Sequence, residues 1–248
     1  MEIIGGLLAG SFIGAVLGFI GAGGAMLTVP ILLYIFDVTP QTATTAALAV
    51  VLTAAMSGLL PKIKSKEVLF REAFIIWALG LSTNIGFSIL VYRLSDSVLT
   101  TGLAMVLILA GTTMLIKPVA GTEKKVPFFW LILISLIIGM ITGLFGIGGG
   151  FLAIPILVLF FKVPQGKAAG TSLAIIVINS ITAFFGHYQS WDDVNWKVPV
   201  TMAIAAVVIA RFGSIKSGQV NPVILRKAFA ALLYSIALFT LIQTWVIA

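Results

Sequence analysis

The chain has 248 residues, of which 60% are hydrophobic and only 9% are charged, with a formal net charge of +7. A soluble domain carries about 25% charged residues, so this chain cannot cover a water-facing surface and we expect an integral membrane protein. It has no cysteine, which excludes disulfides, thiolate metal sites and cysteine nucleophiles. The basic residues lie in short loops between apolar runs, which indicates topology rather than nucleic-acid binding.

Ten apolar segments, in two groups of five, organise the chain. The first group predicts helices over residues 3–21, 25–36, 41–60, 70–92 and 97–116, and the second over 128–146, 150–161, 168–187, 197–215 and 227–247. A membrane-spanning helix needs about 20 residues, whereas the second segment of each group has only about 12. That short segment begins at a glycine cluster in both groups, which predicts a short broken or re-entrant helix.

The two groups are copies of one another. GAVLGFIGAGGAMLTVPILL, from Gly14, aligns with GMITGLFGIGGGFLAIPILV, from Gly139. At an offset of 125 residues the identical pairs are Gly14 and Gly139, Gly18 and Gly143, Gly21 and Gly146, Gly23 and Gly148, Gly24 and Gly149, and Pro30 and Pro155. We therefore divide a single transmembrane domain into a first repeat, 1–120, and a second repeat, 126–248.

Charge chooses between parallel and inverted repeats. If the first two segments of each repeat form one broken span, the basic residues divide almost evenly between the two sides. If those segments instead enter and return, the second repeat is inverted, and all basic residues except Arg93 and Lys197 share the inner side. The positive-inside rule selects the second arrangement. It predicts an all-α polytopic membrane protein of two inverted-topology repeats, each of five helical segments including a short broken or re-entrant helix, with both termini outside. The expected location is a prokaryotic inner membrane.

The glycine clusters lie where inverted-repeat transporters interrupt their helices. A helix that begins near the membrane midplane presents about four unpaired N–H groups and the positive end of its dipole, which together favour an anion. We therefore assign to substrate binding Gly23, Gly24, Ala25, Gly148, Gly149 and Gly150, and to helix breaks or hinges Gly21, Pro30, Gly146 and Pro155. The spacing of Gly14, Gly18, Gly139 and Gly143 is instead typical of tight helix packing.

The doubled pattern resembles the TauE/SafE family of membrane permeases, also called sulfite exporters. Both copies fit G-x-x-G-x-G-G-[GA]-x-x-x-x-P, and each precedes Pro-Gln and a helix start rich in alanine, threonine and serine. The resemblance covers nearly the whole chain and implies transport of small sulfur-containing anions, such as sulfite, sulfoacetate, other sulfonates or thiosulfate. The two repeats differ at Ala25, which is opposite Gly150, and at Ala46-Ala47, which are opposite Thr171-Ser172. These differences predict an asymmetric pocket with fewer hydroxyl donors on the side of the first repeat.

Hydroxyl groups in the apolar segments supply further candidate ligands. Thr171 and Ser172 lie near the start of the third segment of the second repeat, and Thr44 and Thr45 are the nearest first-repeat candidates. Their hydroxyls can donate to an oxyanion. The alternative is a hydrogen bond back to a carbonyl of the same helix, which is common for serine and threonine.

Three other polar residues lie within apolar runs. Asn84 and Asn179 occupy mid-span positions, where an amide either donates to the anion or joins helices. Arg211 offers a planar fork of donors to an oxyanion, or else extends to the inner membrane surface. No Asp or Glu lies mid-span, so proton coupling would require the substrate itself or His187, and Na+ held by carbonyls at the helix breaks is left open.

We therefore expect a secondary transporter that binds a small anion between two helix N-termini and alternates access. Its expected partners are that anionic substrate and the lipid bilayer, with a coupling ion (H+ or Na+) and a homodimer left open, and with no nucleic acid, cofactor or metal. An anion channel, or a transporter for a non-sulfur anion, is the alternative. We do not expect an enzyme, because the sequence offers no recognisable nucleophile, metal cluster or carboxylate pair.

Overall fold

The computed structural model describes residues 2–90, 96–115, 127–145, 150–159, 161–186 and 191–247, and within these ranges it is built from helices joined by short connections. The α-helices are, in chain order, α1 Glu2–Ile20, α2 Gly24–Tyr34, α3 Pro40–Lys64, α4 Phe70–Leu90, α5 Asp96–Leu115, α6 Phe128–Phe145, α7 Gly150–Leu159, α8 Gln165–Gly186, α9 Lys197–Lys216 and α10 Pro222–Ile242. A 3-10 turn, Ser217–Gln219, follows α9, and a π-helical turn, Gln243–Ile247, follows α10. The predicted all-α class is confirmed.

The outside of the bundle is apolar. Phe129, Ile35 and Trp245 are exposed over 71%, 69% and 68% of their surfaces. Five of the described helices, α1, α3, α8, α9 and α10, contain stretches long and apolar enough to cross a membrane. By contrast, α2 has 11 residues and α7 has 10, so each is too short to span a bilayer. The chain is therefore a multi-pass membrane protein, and among its described helices α2 and α7 do not reach across the bilayer.

The third helices of the two repeats, α3 and α8, pack against each other in opposite directions. Gly58 of α3 lies beside Leu173 of α8, whereas Lys62, further along α3, lies beside Gly170, which comes earlier in α8. Antiparallel packing of equivalent helices is what an inverted repeat requires, and parallel repeats require the opposite.

The fifth helices, α5 and α10, are also antiparallel. Near the start of α5 the hydroxyl of Thr101 accepts a hydrogen bond from the indole of Trp245, which follows α10, at 3.2 Å. Near the end of α5, Gly111 packs against Ala230, in the first half of α10. The pair α5 and α10 therefore runs between the two ends of the bundle, with each helix beginning where the other finishes.

Small residues bring the first helix of each repeat close to the fourth helix of the other. A Cβ atom at Gly14 would lie 2.6 Å from the Ala206 carbonyl oxygen of α9, and Gly18 makes a similar contact one turn later. In the second such pair, Gly139 of α6, the first helix of the second repeat, packs directly on Gly80 of α4, the fourth helix of the first. Because no side chain separates the backbones, these helices approach closely, as the four-residue spacing predicts.

The two short helices end in the same way. Asp37 after α2 and Lys162 after α7 adopt left-handed conformations, with φ of 53° and 55°. In each case the next residue donates its N–H to a carbonyl in the last turns of the helix. These bonds are Val38 to Leu32 at 3.1 Å and Val163 to Leu157 at 3.0 Å. Asp37 and Lys162 are 125 residues apart, so the repeat seen in sequence corresponds to repeated local structure.

One end of the bundle gathers most of the described positive charge. There α3 and α9 end, and α4, α8 and α10 begin, with Lys62 Nζ donating to Ser217 Oγ at 2.9 Å and paired with Glu67 at 2.8 Å. We call this the cationic end; its lysines and arginines are Lys62, Lys64, Lys66, Arg71, Lys162, Lys167, Lys216, Arg226 and Lys227. Among the described residues, Lys197 is the cation of the other end, which we call the opposite end.

Candidate functional site

The first glycine cluster separates α1 from α2 and reverses the chain. Gly21 and Gly23 have φ of +82° and +88°, in the left-handed region that side chains disfavour. The short helix then runs back along the first, so that Phe36, just after α2, contacts Gly5 near the start of α1. The sequence therefore predicted correctly that a helix ends and a shorter one begins at this cluster.

This first break lies nearer the cationic end than the centre of the bundle. Gly21 packs against Ala169, and a Cβ atom at Gly21 would lie 2.5 Å from that of Ala169. Ala169 is only four residues after Gln165, where α8 begins, which places the break about 6 Å from that helix end. The position differs from the midplane expected from sequence, because α1 is a full-length helix of 19 residues and carries the break across most of the bundle.

The second break falls largely outside the described residues, which omit Gly146, Gly148 and Gly149. The structure resumes at Gly150, the buried first residue of α7. The hydroxyl of Ser172, itself fully buried, donates to the Gly150 carbonyl at 2.7 Å. Ser172 therefore fixes the start of α7 against α8.

Thr171 is also hydrogen-bonded within the protein. Its hydroxyl donates to the Lys167 carbonyl one turn back in α8 at 2.7 Å, and it accepts the Leu69 N–H at 3.0 Å. The second bond ties the α3–α4 connection to α8. In this conformation the hydroxyl protons of Thr171 and Ser172 are directed to carbonyls, so donation to a substrate requires a change of partner and stays a prediction.

A cavity of about 260 Å³ opens between α2, α3, α5 and α10 at the opposite end, and we call it the large cavity. It follows α2 from Tyr34 at its last residue to Met26 in its first turn, and includes the predicted hinge residue Pro30. Among the predicted ligands it contains Thr44, whereas Thr45 is fully buried and engaged in an interaction. The first-repeat candidates therefore divide between the cavity wall and the core.

Polar groups that sequence reasoning missed also line the large cavity. They are Thr100 of α5, Thr240 of α10, and Gln243 and Thr244 in the π-helical turn. None of the described residues that line it is charged. The sequence could show that these polar residues lie within about a turn of a helix end. It could not show which of them share a cavity, because that depends on how α5 and α10 pack.

The two mid-span asparagines come together. Asn84 of α4 and Asn179 of α8 line the same narrow cleft, with Trp77 and Gly139 among its other residues. The cleft holds about 10 Å³ of free space, too little for an anion in this conformation. Asn179 is engaged in an interaction there. The geometry favours joining of helices, and the substrate role of both amides stays a prediction.

Arg211 lies on the outside of the bundle. Its side chain is exposed, like that of its neighbour Phe212, which is 59% exposed, and it lines none of the cavities described here. It is five residues before the end of α9 at Lys216, so its guanidinium can reach the membrane surface at the cationic end. The geometry therefore favours this alternative over substrate binding. His187 lies outside the described residues.

These features define a class of protein: a polytopic helical membrane protein with a helix broken inside the bundle and a cavity that follows the short helix to its first turn. The sequence model of the family described as "Sulfite exporter TauE/SafE" matches residues 6–240. The chain therefore belongs to the TauE/SafE family of membrane transporters.

Similar proteins agree with this class. The chain is 30% identical to the probable membrane transporter protein YunE of Bacillus subtilis over 87% of each chain. It is 27% identical to a probable membrane transporter protein of Xylella fastidiosa, over 96% of this chain and 94% of that one. A probable membrane transporter protein of Methanocaldococcus jannaschii is 38% identical over 115 residues, which cover 44% of this chain and 43% of that protein.

Proposed function

We propose that this transporter moves a small sulfur-containing anion, such as sulfite, sulfoacetate, another sulfonate or thiosulfate, by alternating access. The substrate binds between the helix N-termini at the two glycine breaks. The observation that carries the proposal is the course of the large cavity, which leads along α2 to Met26 in its first turn. An anion that enters this cavity therefore approaches a helix N-terminus.

The start of α2 can attract an anion without a charged side chain. Gly23 precedes the helix and has no side chain to cap it. The N–H groups of the first turn, from Gly24 and Ala25, have no partner within the helix, and the helix dipole adds about half a positive charge. No described residue that lines the large cavity is charged, so in this proposal the helix N-terminus is the positive end that an anion approaches.

The second repeat would supply the matching half of the site. Gly148, Gly149 and Gly150 precede or begin α7 at the equivalent sequence positions. Pro30 and Pro155 lie inside α2 and α7, where each stiffens a short helix that would move as a unit. Alternating access then exposes the shared site to one end of the bundle and then to the other.

We also propose that the repeats are inverted and that the cationic end faces the cytoplasm. The antiparallel pairs α3 with α8 and α5 with α10 support the inversion, and the positive-inside rule supports the sidedness. Because the chain has no cysteine, a single cysteine at Ser65 or Ser190 can be labelled cleanly with an impermeant reagent. Labelling of both positions from the same side would contradict this topology.

A binding screen on purified protein tests the substrate class. Sulfite, sulfoacetate and thiosulfate are compared with acetate and chloride at equal ionic strength, and the melting temperature is followed. A ligand that binds only the folded protein at about 100 times its Kd stabilises it by about 2.7 kcal/mol, so sulfur anions should raise the melting temperature. Equal melting temperatures with all five anions would contradict the proposed substrate class.

A further inference from the structure

A second cavity, which we call the small cavity, lies at the cationic end between α5, α7, α8 and α10. It holds only about 10 Å³ of free space. Its wall repeats the wall of the large cavity at the offset of 125 residues. The matching pairs are Ile154 for Val29, Pro155 for Pro30, Val158 for Leu33, and Met114 for Phe239. The two cavities are therefore counterparts at opposite ends of the bundle, one wide and one nearly filled.

Under the proposed alternating access, the difference in width between the two cavities acquires a meaning. Carriers that alternate access between related halves open a vestibule at one end while its counterpart is closed. Because α5 and α10 are antiparallel, movement of this pair against the short helices can widen one cavity while it narrows the other. In such a mechanism the large cavity corresponds to the vestibule at the opposite end, and the small cavity to the one that widens when the cationic end becomes accessible.

The two counterparts differ in charge. Arg226, in the second turn of α10, lines the small cavity together with Gln165, the first residue of α8. At the offset of 125 residues, Arg226 corresponds to Thr101, the neighbour of a threonine that lines the large cavity. Arg226 is half-buried, whereas Lys227 beside it is exposed. A full positive charge therefore replaces a hydroxyl at the cationic end of the proposed path.

We propose that the small cavity is a second anion site and that the Arg226 guanidinium binds the oxyanion there when the cavity opens. The inference deepens the proposed function and rests on it. A guanidinium offers paired donors that match the oxygens of a sulfonate or a carboxylate. Arg226 is engaged in an interaction while the small cavity is nearly filled, so it exchanges that partner for the anion when the cavity widens. Gln165 adds an amide donor to the same wall.

Side-specific kinetics test the assignment. Sulfoacetate flux is measured in proteoliposomes of known orientation, with substrate presented at one face at a time. In Arg226→Gln the half-saturating concentration at the cationic face should rise by about 10- to 100-fold, the usual worth of a hydrogen bond to a charged group. The value at the opposite face should change much less. Arg226→Lys, which keeps the charge but loses the paired donors, should recover part of the affinity.

Lys227→Gln is the matched control, because it removes the adjacent but exposed cation and should leave both half-saturating concentrations unchanged. An unchanged value at the cationic face in Arg226→Gln, or an equal rise in Lys227→Gln, would overturn the proposal. A folded wild type that moves no sulfur anion defeats the proposed function instead. Arg226 is then judged by whether phosphate or succinate raises the melting temperature of wild type more than that of Arg226→Gln, and no difference overturns the assignment.

A second variant keeps Arg226 and does not depend on the folding of its replacements. Met114→Cys places a thiol in the wall of the small cavity. An impermeant maleimide applied at the cationic face should label it, and sulfoacetate should slow that labelling; sulfite is unsuitable because it adds to maleimides. Labelling that sulfoacetate does not slow, or no labelling from that face under any condition, would overturn the small cavity as an anion site.

Discussion

Replacement of Gly21 by alanine tests what holds the first break in place. Gly21 combines a left-handed backbone, with φ of +82°, with a close approach to α8. A Cβ atom there would lie 2.5 Å from Ala169 Cβ and 2.7 Å from Ala169 Cα. Both features exclude a side chain, and they do so independently of each other.

The loss of unfolding free energy in Gly21→Ala has two parts. The left-handed conformation costs a residue with a Cβ atom about 1–2 kcal/mol. Ordinary carbon contacts begin near 3.4 Å, so α8 must move by about 1 Å, and overpacking of this kind costs about 1–3 kcal/mol. The free energy of unfolding should therefore fall by about 2–5 kcal/mol.

Unfolding of the purified protein by SDS in mixed micelles gives this difference directly. Gly86→Ala is the control: nothing lies within 4 Å of a Cβ atom there, and inside α4 alanine should leave the stability unchanged or raise it by up to about 1 kcal/mol. Gly23→Ala should fall between the two. It has φ of +88°, but the nearest atom, at 3.0 Å, belongs to the ring of Phe229, which can turn. Equal stability of Gly21→Ala and Gly86→Ala would show that neither the left-handed backbone nor the close contact with α8 excludes a side chain at Gly21.

Three further substitutions probe other parts of the account. Leu103→Trp places a larger ring in the wall of the large cavity, so anion flux should fall about tenfold or more while the amount of folded protein, measured by size exclusion, is unchanged. Glu67→Ala leaves Lys62, which is 4% exposed, without its carboxylate, so the free energy of unfolding should fall by about 1–3 kcal/mol. Adding Lys62→Met to the same chain should restore most of the lost free energy of unfolding. Ser172→Ala removes the bond to the Gly150 carbonyl and should cost about 1 kcal/mol, whereas an equal or greater stability would show that this bond does not hold α7.

The sequence predicted the bounds of a helix well where the apolar run alone determines them. The prediction of 3–21 for α1 compares with an observed Glu2–Ile20. The larger errors at helix starts lie at polar ends: α8 begins at Gln165 rather than 168, and α10 at Pro222 rather than 227. A hydropathy pattern marks the part of a helix that meets lipid, whereas caps set its first residue. In α10 the Asn221 side chain accepts the Val223 N–H, and proline occupies the first turn.

The candidate site was only partly predictable, because contacts between distant segments decide it. The glycine cluster at Gly21 and Gly23 was visible, since only glycine readily adopts that backbone. The partners of Thr171 and Ser172 were not, because Leu69 and the Gly150 carbonyl reach them through tertiary packing. In the sequence Arg226 is one of several basic residues assigned to the inner side, and only the match between the two cavities distinguishes it from the others.

Anion flux through the reconstituted protein tests directly whether this protein is a carrier for sulfur-containing anions. Initial rates of radiolabelled sulfite, sulfoacetate and thiosulfate uptake into proteoliposomes are measured against concentration, with Leu103→Trp as the blocked control. Uptake of at least one of these anions should be saturable, slow enough for a carrier, and reduced by Leu103→Trp. Absence of flux for all three with folded wild-type protein, or large unitary currents that show a channel, would contradict the proposed carrier function.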